Sequence, residues 1–470
     1  MPMGPLILLL GLTGWAADPG PGFRGDGTAV YEDAAGSVAT LAEEWRTPLP
    51  GWSNGSIVTT EGLVLVMQEP TTLVALEPSS GAVLWTRTHD AADASTGEDA
   101  ARIAAGTEAA RKAQRSLDKA TSRYASIRRE MRRTGADVSA LAEELERLGG
   151  EMGVHEATVN EWAWATTPAD KGMIGYSSAT PVIGPLGIYA VFGNGVVGLT
   201  GRDGRPRWTR HLGAAPRTMR GWDWGTSASP VLVGETLVVS FGELRGLHPA
   251  TGETLWSAGQ YQDFGTPAVA HVDGGSVLVL PDGRVIDVAS GAELARDLPS
   301  TWFVGPAAHG STVLIAGGQA EGVNAKNGGF TAARVALERT PVGLTARRLW
   351  ERKIAIGEGV YATPLLTEAW AIVVTTSGKI TILEASTGQV VSEVDVSSRL
   401  GNGAKVMASP ILVGTDLWVM SDLGDLVQVS LGPNPAIVGH KTVEPARSTP
   451  FVVGEHLYIR GLVHAIRMRL

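Results

Sequence analysis

A guanidinium, a carboxylate and two indoles fall together at Arg220-Gly221-Trp222-Asp223-Trp224. Such a run could hold a small ligand or a peptide, because binding sites are largely apolar with a few polar anchors. The same residue types gather in other short stretches: Trp52 with Asn54, then Trp162, Trp164 and Tyr176, and Tyr261, Asp263 and Phe264. Further along come Trp302 with Phe303, Tyr361, Lys405 with Met407, and Arg447. Trp, Tyr and Arg dominate binding hot spots. Aromatics make up only 6% of the chain, so their concentration here has two readings: a binding rim, or rings that fill gaps beneath loops.

Other chemistry has little support. With no Cys, the chain can form no disulfide, thiolate metal site or cysteine nucleophile. No pair among the nine His has the spacing of a zinc-binding helix. Gly149-Gly150 reads as the end of a helix, not as a phosphate loop opening one. No serine sits in a nucleophile elbow, and Gly-Asn-Gly at 193–195 and 401–403 reads as hairpin turn chemistry.

The elements that carry these residues come from a repeat. An apolar pair, a turn, a Gly and often a Trp recur at 75–85, 198–208, 246–256, 285–295 and 382–392. A second series opens β-branched runs at Ser56-Ile57, Thr180-Pro181, Ser229-Pro230, Thr266-Pro267, Gly305-Pro306, Thr363-Pro364, Ser409-Pro410 and Thr449-Pro450. Most of these are spaced by roughly 40–50 residues, the period of a four-stranded propeller blade. Proline suits a first strand residue because it has no N–H to offer the ladder. The turn Gly supplies the positive φ of a tight hairpin, and the Trp that follows packs between neighbouring blades.

The last unit supplies only about three strands, and Glu44-Trp45-Arg46-Thr47-Pro48-Leu49 resembles a blade's closing strand with no blade before it. Pairing the two removes both free edges. The fold class expected is all-β: an eight-bladed β-propeller of four-stranded antiparallel blades, closed by both termini. The aromatic stretches then lie in the blade-to-blade connections, which rim one mouth of the channel.

One segment breaks the repeat. Between 89 and 172 the composition shifts to Ala, Arg, Glu and Leu, with apolar residues at heptad spacing that include Ile103, Leu117, Tyr124, Ile127 and Met131. This predicts an inserted α-helical coiled-coil hairpin, broken at Thr134-Gly135, with Thr96 and Asp99 as a capping box and Asp137 capping the second helix. The first helix is expected to exceed about 30 residues and the second to reach about 15, at about 1.5 Å per residue. That mismatch leaves part of the longer helix for a protein partner or a second copy, if the hairpin does not satisfy itself.

The domains expected are a signal peptide at 1–17, a closing strand with the first blade at 18–88, the insert at 89–172 and the remaining blades at 173–470. The apolar stretch Leu6 to Leu12 and small residues at Gly14, Ala16 and Ala17 resemble a secretory signal, although no Lys or Arg precedes the apolar core. Nothing downstream is long and apolar enough to span a bilayer. A net charge of −9 argues against a nucleic-acid partner.

The repeats Leu76 to Trp85 and Leu247 to Trp256, with the early Phe23-Arg24-Gly25-Asp26-Gly27, resemble the pyrroloquinoline-quinone (PQQ)-like propeller superfamily. That resemblance implies one of two branches. The quinoprotein alcohol dehydrogenases place a bridged pair of adjacent cysteines over the quinone and hold calcium with a Glu, an Asn and an Asp. This chain has no Cys, and Asn54, Asp223, Asp263, Glu358 and Asn402 match no local ligand motif. The BamB-type propeller of outer-membrane assembly is a scaffold without chemistry; its members are anchored through a cysteine and lack a long helical insert.

The expectation is therefore an exported, non-enzymatic scaffold in the periplasm or cell envelope of a bacterium, binding protein through the rim or the insert, with no cofactor. The alternatives are a PQQ- and Ca²⁺-dependent oxidoreductase and a ligand-binding sensor propeller.

Overall fold

A computed structural model describes residues 21–470 apart from 90–92, 94–97, 134, 136, 164, 167–173, 213–225, 262–263, 302, 318–329, 342, 355–358 and 433. Eight antiparallel sheets follow one another around a central channel. Blades 1 to 7 span residues 58–88, 182–211, 231–260, 268–295, 307–354, 365–395 and 411–442, each with its strands in chain order from the channel outward. Blade 8 takes three strands from residues 451–469 and its outermost from Ala42–Pro48, which pairs antiparallel with His464–Arg469. The two chain ends thus close the ring, as the orphan strand at Trp45 predicts.

The inner strands are short, buried and β-branched, as in Val182–Gly184 and Val231–Val233. Outer strands such as Val83–Thr88 alternate half-buried and exposed residues. Apolar clusters lie between successive sheets, for example Leu65, Leu73, Ile183 and Phe192 between blades 1 and 2. This is sheet-on-sheet burial repeated around a circle, so each blade is stabilised by both neighbours.

The repeat Trp joins blades as expected. Trp45 Nε1 donates to Pro78 O at 2.8 Å, Trp208 Nε1 to Pro249 O at 2.8 Å, Trp256 Nε1 to Val288 O at 2.9 Å and Trp350 Nε1 to Ala385 O at 2.7 Å. Each indole lies flat on the turn Gly of the next blade: a Cβ on Gly81, Gly252, Gly291 or Gly388 would meet it at 2.7, 2.7, 2.5 and 2.4 Å respectively. These glycines have φ of +67° to +71°. The turn therefore requires Gly twice, for its backbone and for the ring above it.

The Ser/Thr before each inner strand does more than start it. The Ser56 N–H donates to Thr180 Oγ1 at 3.0 Å, Thr180 N–H to Ser229 Oγ at 2.9 Å and Ser229 N–H to Thr266 Oγ1 at 3.0 Å. The series resumes from Thr363 N–H to Ser409 Oγ (3.2 Å), Ser409 N–H to Thr449 Oγ1 (3.1 Å) and Thr449 N–H back to Ser56 Oγ (3.0 Å). A belt of hydroxyls therefore ties blade to blade around the channel. It breaks at Gly305, where a Cβ would sit 2.3 Å from Thr266 O and no side chain fits.

The N-terminal segment enters the channel, which no periodicity foretells. Pro21 O accepts from Ile183 N–H of blade 2 at 2.8 Å, and Arg24 Nη2 donates to Pro364 O at 2.8 Å where blade 6 begins. Val30–Tyr31 then adds a parallel fifth strand to the channel side of blade 7. Residues 21–28 thus cross the channel between opposite blades.

The insert contains two helices, α1 (Glu98–Glu130) and α2 (Val138–Glu161), packed as an antiparallel hairpin. Asp137 caps α2 by accepting from Ala140 N–H at 3.1 Å; Thr96 lies outside the described residues. The second helix has 24 residues, longer than expected, because it runs through Gly149, Gly150 and Gly153. Contacts of Leu145, Leu148 and Met152 with α1 outweigh a glycine cost of about 1 kcal/mol each. Beyond α2, Trp162 stacks against Gly106 and closes with Ala165 over Ile103. The base of α1 is thereby covered, which removes the length mismatch as a reason for a partner. Among the described residues neither helix packs along a blade strand, and no helix is long and apolar enough to cross a membrane.

Candidate functional site

The connections between blades surround a funnel of about 290 Å³ at one mouth of the channel. Its lower part is the hydroxyl belt, and Phe23 of the crossing segment reaches it from within the channel. Below, Arg24 is buried at 2% exposure. Burial lowers its pKa to about 10, which leaves it charged at neutral pH.

One wall is aromatic. Phe264 and Phe303 lie with centroids 5.2 Å apart, and Phe303 meets Tyr361 edge to face at 5.3 Å. Aromatic pairs at such spacing are mutually stabilising. Lys405, Met407 and Arg447 come from the connections before blades 7 and 8. Lys405 is exposed, and its backbone is fixed by Asp422, whose carboxylate accepts the Lys405 N–H at 2.7 Å.

The remaining wall is held by a half-buried carboxylate. Glu69 Oε1 accepts from Tyr176 N–H, Ser177 N–H and the Ser177 hydroxyl, each at 2.7 Å. These bonds fix the chain as it returns from the insert. They place Ile174 and Ser178 beside Asn54, whose Nδ2 donates to Ser178 Oγ at 3.0 Å and to Ile174 O at 3.4 Å.

Among the residues expected on the rim, Asn54, Phe264, Phe303, Tyr361, Lys405, Met407 and Arg447 therefore line one cavity. Trp52 stands behind it, half-buried, with Gly175 seated on its ring. Arg220, Trp222, Asp223, Trp224 and Trp302 lie outside the described residues. In the insert, Ile103 is covered by Trp162 and Ala165, and Tyr124, Ile127 and Met131 face α2; Leu117 is half-buried. The hairpin uses most of these side chains for its own packing. Gly-Asn-Gly 193–195 forms the expected hairpin turn, whereas 401–403 lies in the connection between blades 6 and 7.

Sequence reasoning missed Phe23, Glu69 and the hydroxyl belt. The Ser/Thr residues were visible as a series, but only the ring closure shows their hydroxyls acting between blades.

Calcium against a quinone needs several oxygen ligands, carboxylates among them. Among the described residues the funnel lining offers Asn54 and no carboxylate, and Asn402 is exposed outside it. Asp223, Asp263 and Glu358 lie outside the described residues.

Comparison with known proteins agrees with this architecture. The family model described as outer membrane protein assembly factor BamB matches residues 11–240, 188–340 and 240–467. BamB from Moraxella catarrhalis superposes with a TM-score of 0.53 at 13% identity, covering 92% of this chain and 98% of that one. A quinohemoprotein alcohol dehydrogenase from Pseudomonas putida HK5 reaches a TM-score of 0.43 at 10% identity, covering 94% of this chain and 78% of that one, too low to carry an argument. No curated protein matches the sequence. With a family model spanning nearly all of its blades, the chain belongs to the PQQ-like propeller family of the outer membrane assembly factor BamB.

Proposed function

We propose that this protein is an exported, non-enzymatic propeller that binds protein in the cell envelope of a bacterium, as a scaffold in outer-membrane assembly. The observation that carries the reading is the family match over residues 11–467. The surfaces left for a partner are the rim and the outward face of the helical hairpin.

Calorimetric titration of the purified protein with the quinone and Ca²⁺, beside dye-reduction assays on simple alcohols, separates this reading from an oxidoreductase. The scaffold reading expects no turnover at any quinone concentration. Saturable quinone binding with alcohol-dependent dye reduction would overturn it.

A further inference from the structure

The far end of the helical hairpin is basic. Arg128, Arg129, Arg132 and Arg133 crowd together there, in a chain whose net charge is −9. Met131 N–H donates to Ile127 O at 2.9 Å and Arg133 N–H to Glu130 O at 2.9 Å, which carries the coil past the end of α1. Ile127 and Met131 turn to α2, and all four arginines stay exposed. The two carboxylates of this stretch are engaged elsewhere: Glu130 Oε1 pairs with Arg123 Nη1 at 2.9 Å, and Asp137 caps α2. Like charges four residues apart repel, as Arg128 with Arg132 and Arg129 with Arg133 must, so the cluster costs stability until an anion meets it. The C-terminus of a helix favours cations, which accounts for Arg128 and Arg129 in the last turn of α1 but not for Arg132 and Arg133 beyond it.

The geometry selects the anion. A nucleic acid lying along the arm would meet α2, which carries six Glu against one Arg. A planar array of phosphates would meet only the tip, where Val138 is also 51% exposed and can enter the boundary between headgroups and acyl chains. With 33 residues at about 1.5 Å each, α1 is about 50 Å long, so the acidic propeller stays beyond a Debye length of about 8 Å from such a surface. We propose that the tip of the hairpin docks end-on against the phosphates of an anionic phospholipid surface through Arg128, Arg129, Arg132 and Arg133. This docking does not depend on the scaffold reading, and its failure would leave that reading standing.

The test is co-sedimentation of the full chain with phosphatidylcholine vesicles, with or without phosphatidylglycerol as one lipid in three. Each Arg beside an anionic surface is worth about fivefold in affinity, so replacing all four by Gln should weaken binding to the anionic vesicles at least about a hundredfold. Binding to the neutral vesicles should not change. A matched variant, Arg111→Gln with Lys112→Gln, Arg115→Gln and Lys119→Gln, removes the same charge from exposed sites on α1. Its nearest change lies about 14 Å of helix before Arg128, so it should lose no more than about threefold. Unchanged melting temperature and helical circular dichroism will show that both variants fold. A tip variant that binds anionic vesicles like the wild type, an equal loss in both variants, or polyuridylate held more tightly than those vesicles at the same salt would each overturn the proposal, the last in favour of a nucleic acid.

Discussion

At the scale of single residues, the belt makes a sharp prediction. Thr180→Val keeps the side chain's shape but removes the oxygen that accepts Ser56 N–H. An orphaned buried N–H should cost about 1–3 kcal/mol, read as a lower urea midpoint at constant slope. A loss within error would mean that the belt is incidental. Asp425 gives a pH signature. Burial alone would raise its pKa, but hydrogen bonds from Gly401 N–H and from the Thr442 and Ser421 hydroxyls, with His440 beside it, prevail and hold it low. A depressed folded-state pKa contributes stability that is fully present above the ordinary aspartate value of 3.8 and is lost as the pH falls through the folded value. Unfolding free energy should therefore drop in acid below that pH, and Asp425→Asn should be less stable at neutral pH with a flatter acid limb. An unchanged acid limb would remove Asp425 as the cause. Much of this scale was hidden in the sequence. Glu69 and Phe23 act on segments more than 100 residues away, and no local spacing announces such contacts.

At the scale of elements, legibility depended on repetition. The Trp and Gly of each blade could be read because the same spacing returns, and the inter-blade stack then follows from one Trp lying over one Gly. Gly291→Ala would bring a Cβ to 2.5 Å from the Trp256 ring at φ +71°, and should cost at least about 2 kcal/mol in denaturant unfolding. Normal stability in that variant would contradict the stacking geometry. The helical insert was legible in kind and in the length of its first helix, but not in that of its second. Gly149, Gly150 and Gly153 carry a low helix propensity, and tertiary contacts with α1 carried the helix past them. Ile127 is fully buried between the two helices. Ile127→Ala should lower hairpin stability by about 3 kcal/mol, seen as earlier loss of helical circular dichroism at 222 nm. The propeller's own transition should stay in place, since neither helix packs along a blade among the described residues. A joint shift of both transitions would show that hairpin and propeller unfold as one.

At the scale of the whole molecule, closure is the governing feature. Strand Ala42–Pro48 joins His464–Arg469, Trp45 stacks on Gly81 of blade 1, and Thr449 returns the belt to Ser56. Arg460, fully buried, adds Nη2 to Gly51 O at 2.7 Å across the same seam. The ring leaves a mouth bordered by blade connections, the surface proposed above to hold a partner. The most direct test of that role is in-cell crosslinking from the Tyr361 and Lys405 positions in the native host, followed by purification from detergent-solubilised envelopes. The account predicts crosslinked species larger than the 49.1-kDa chain that contain outer-membrane assembly components. Recovery only as a free monomer outside the envelope fraction would contradict it.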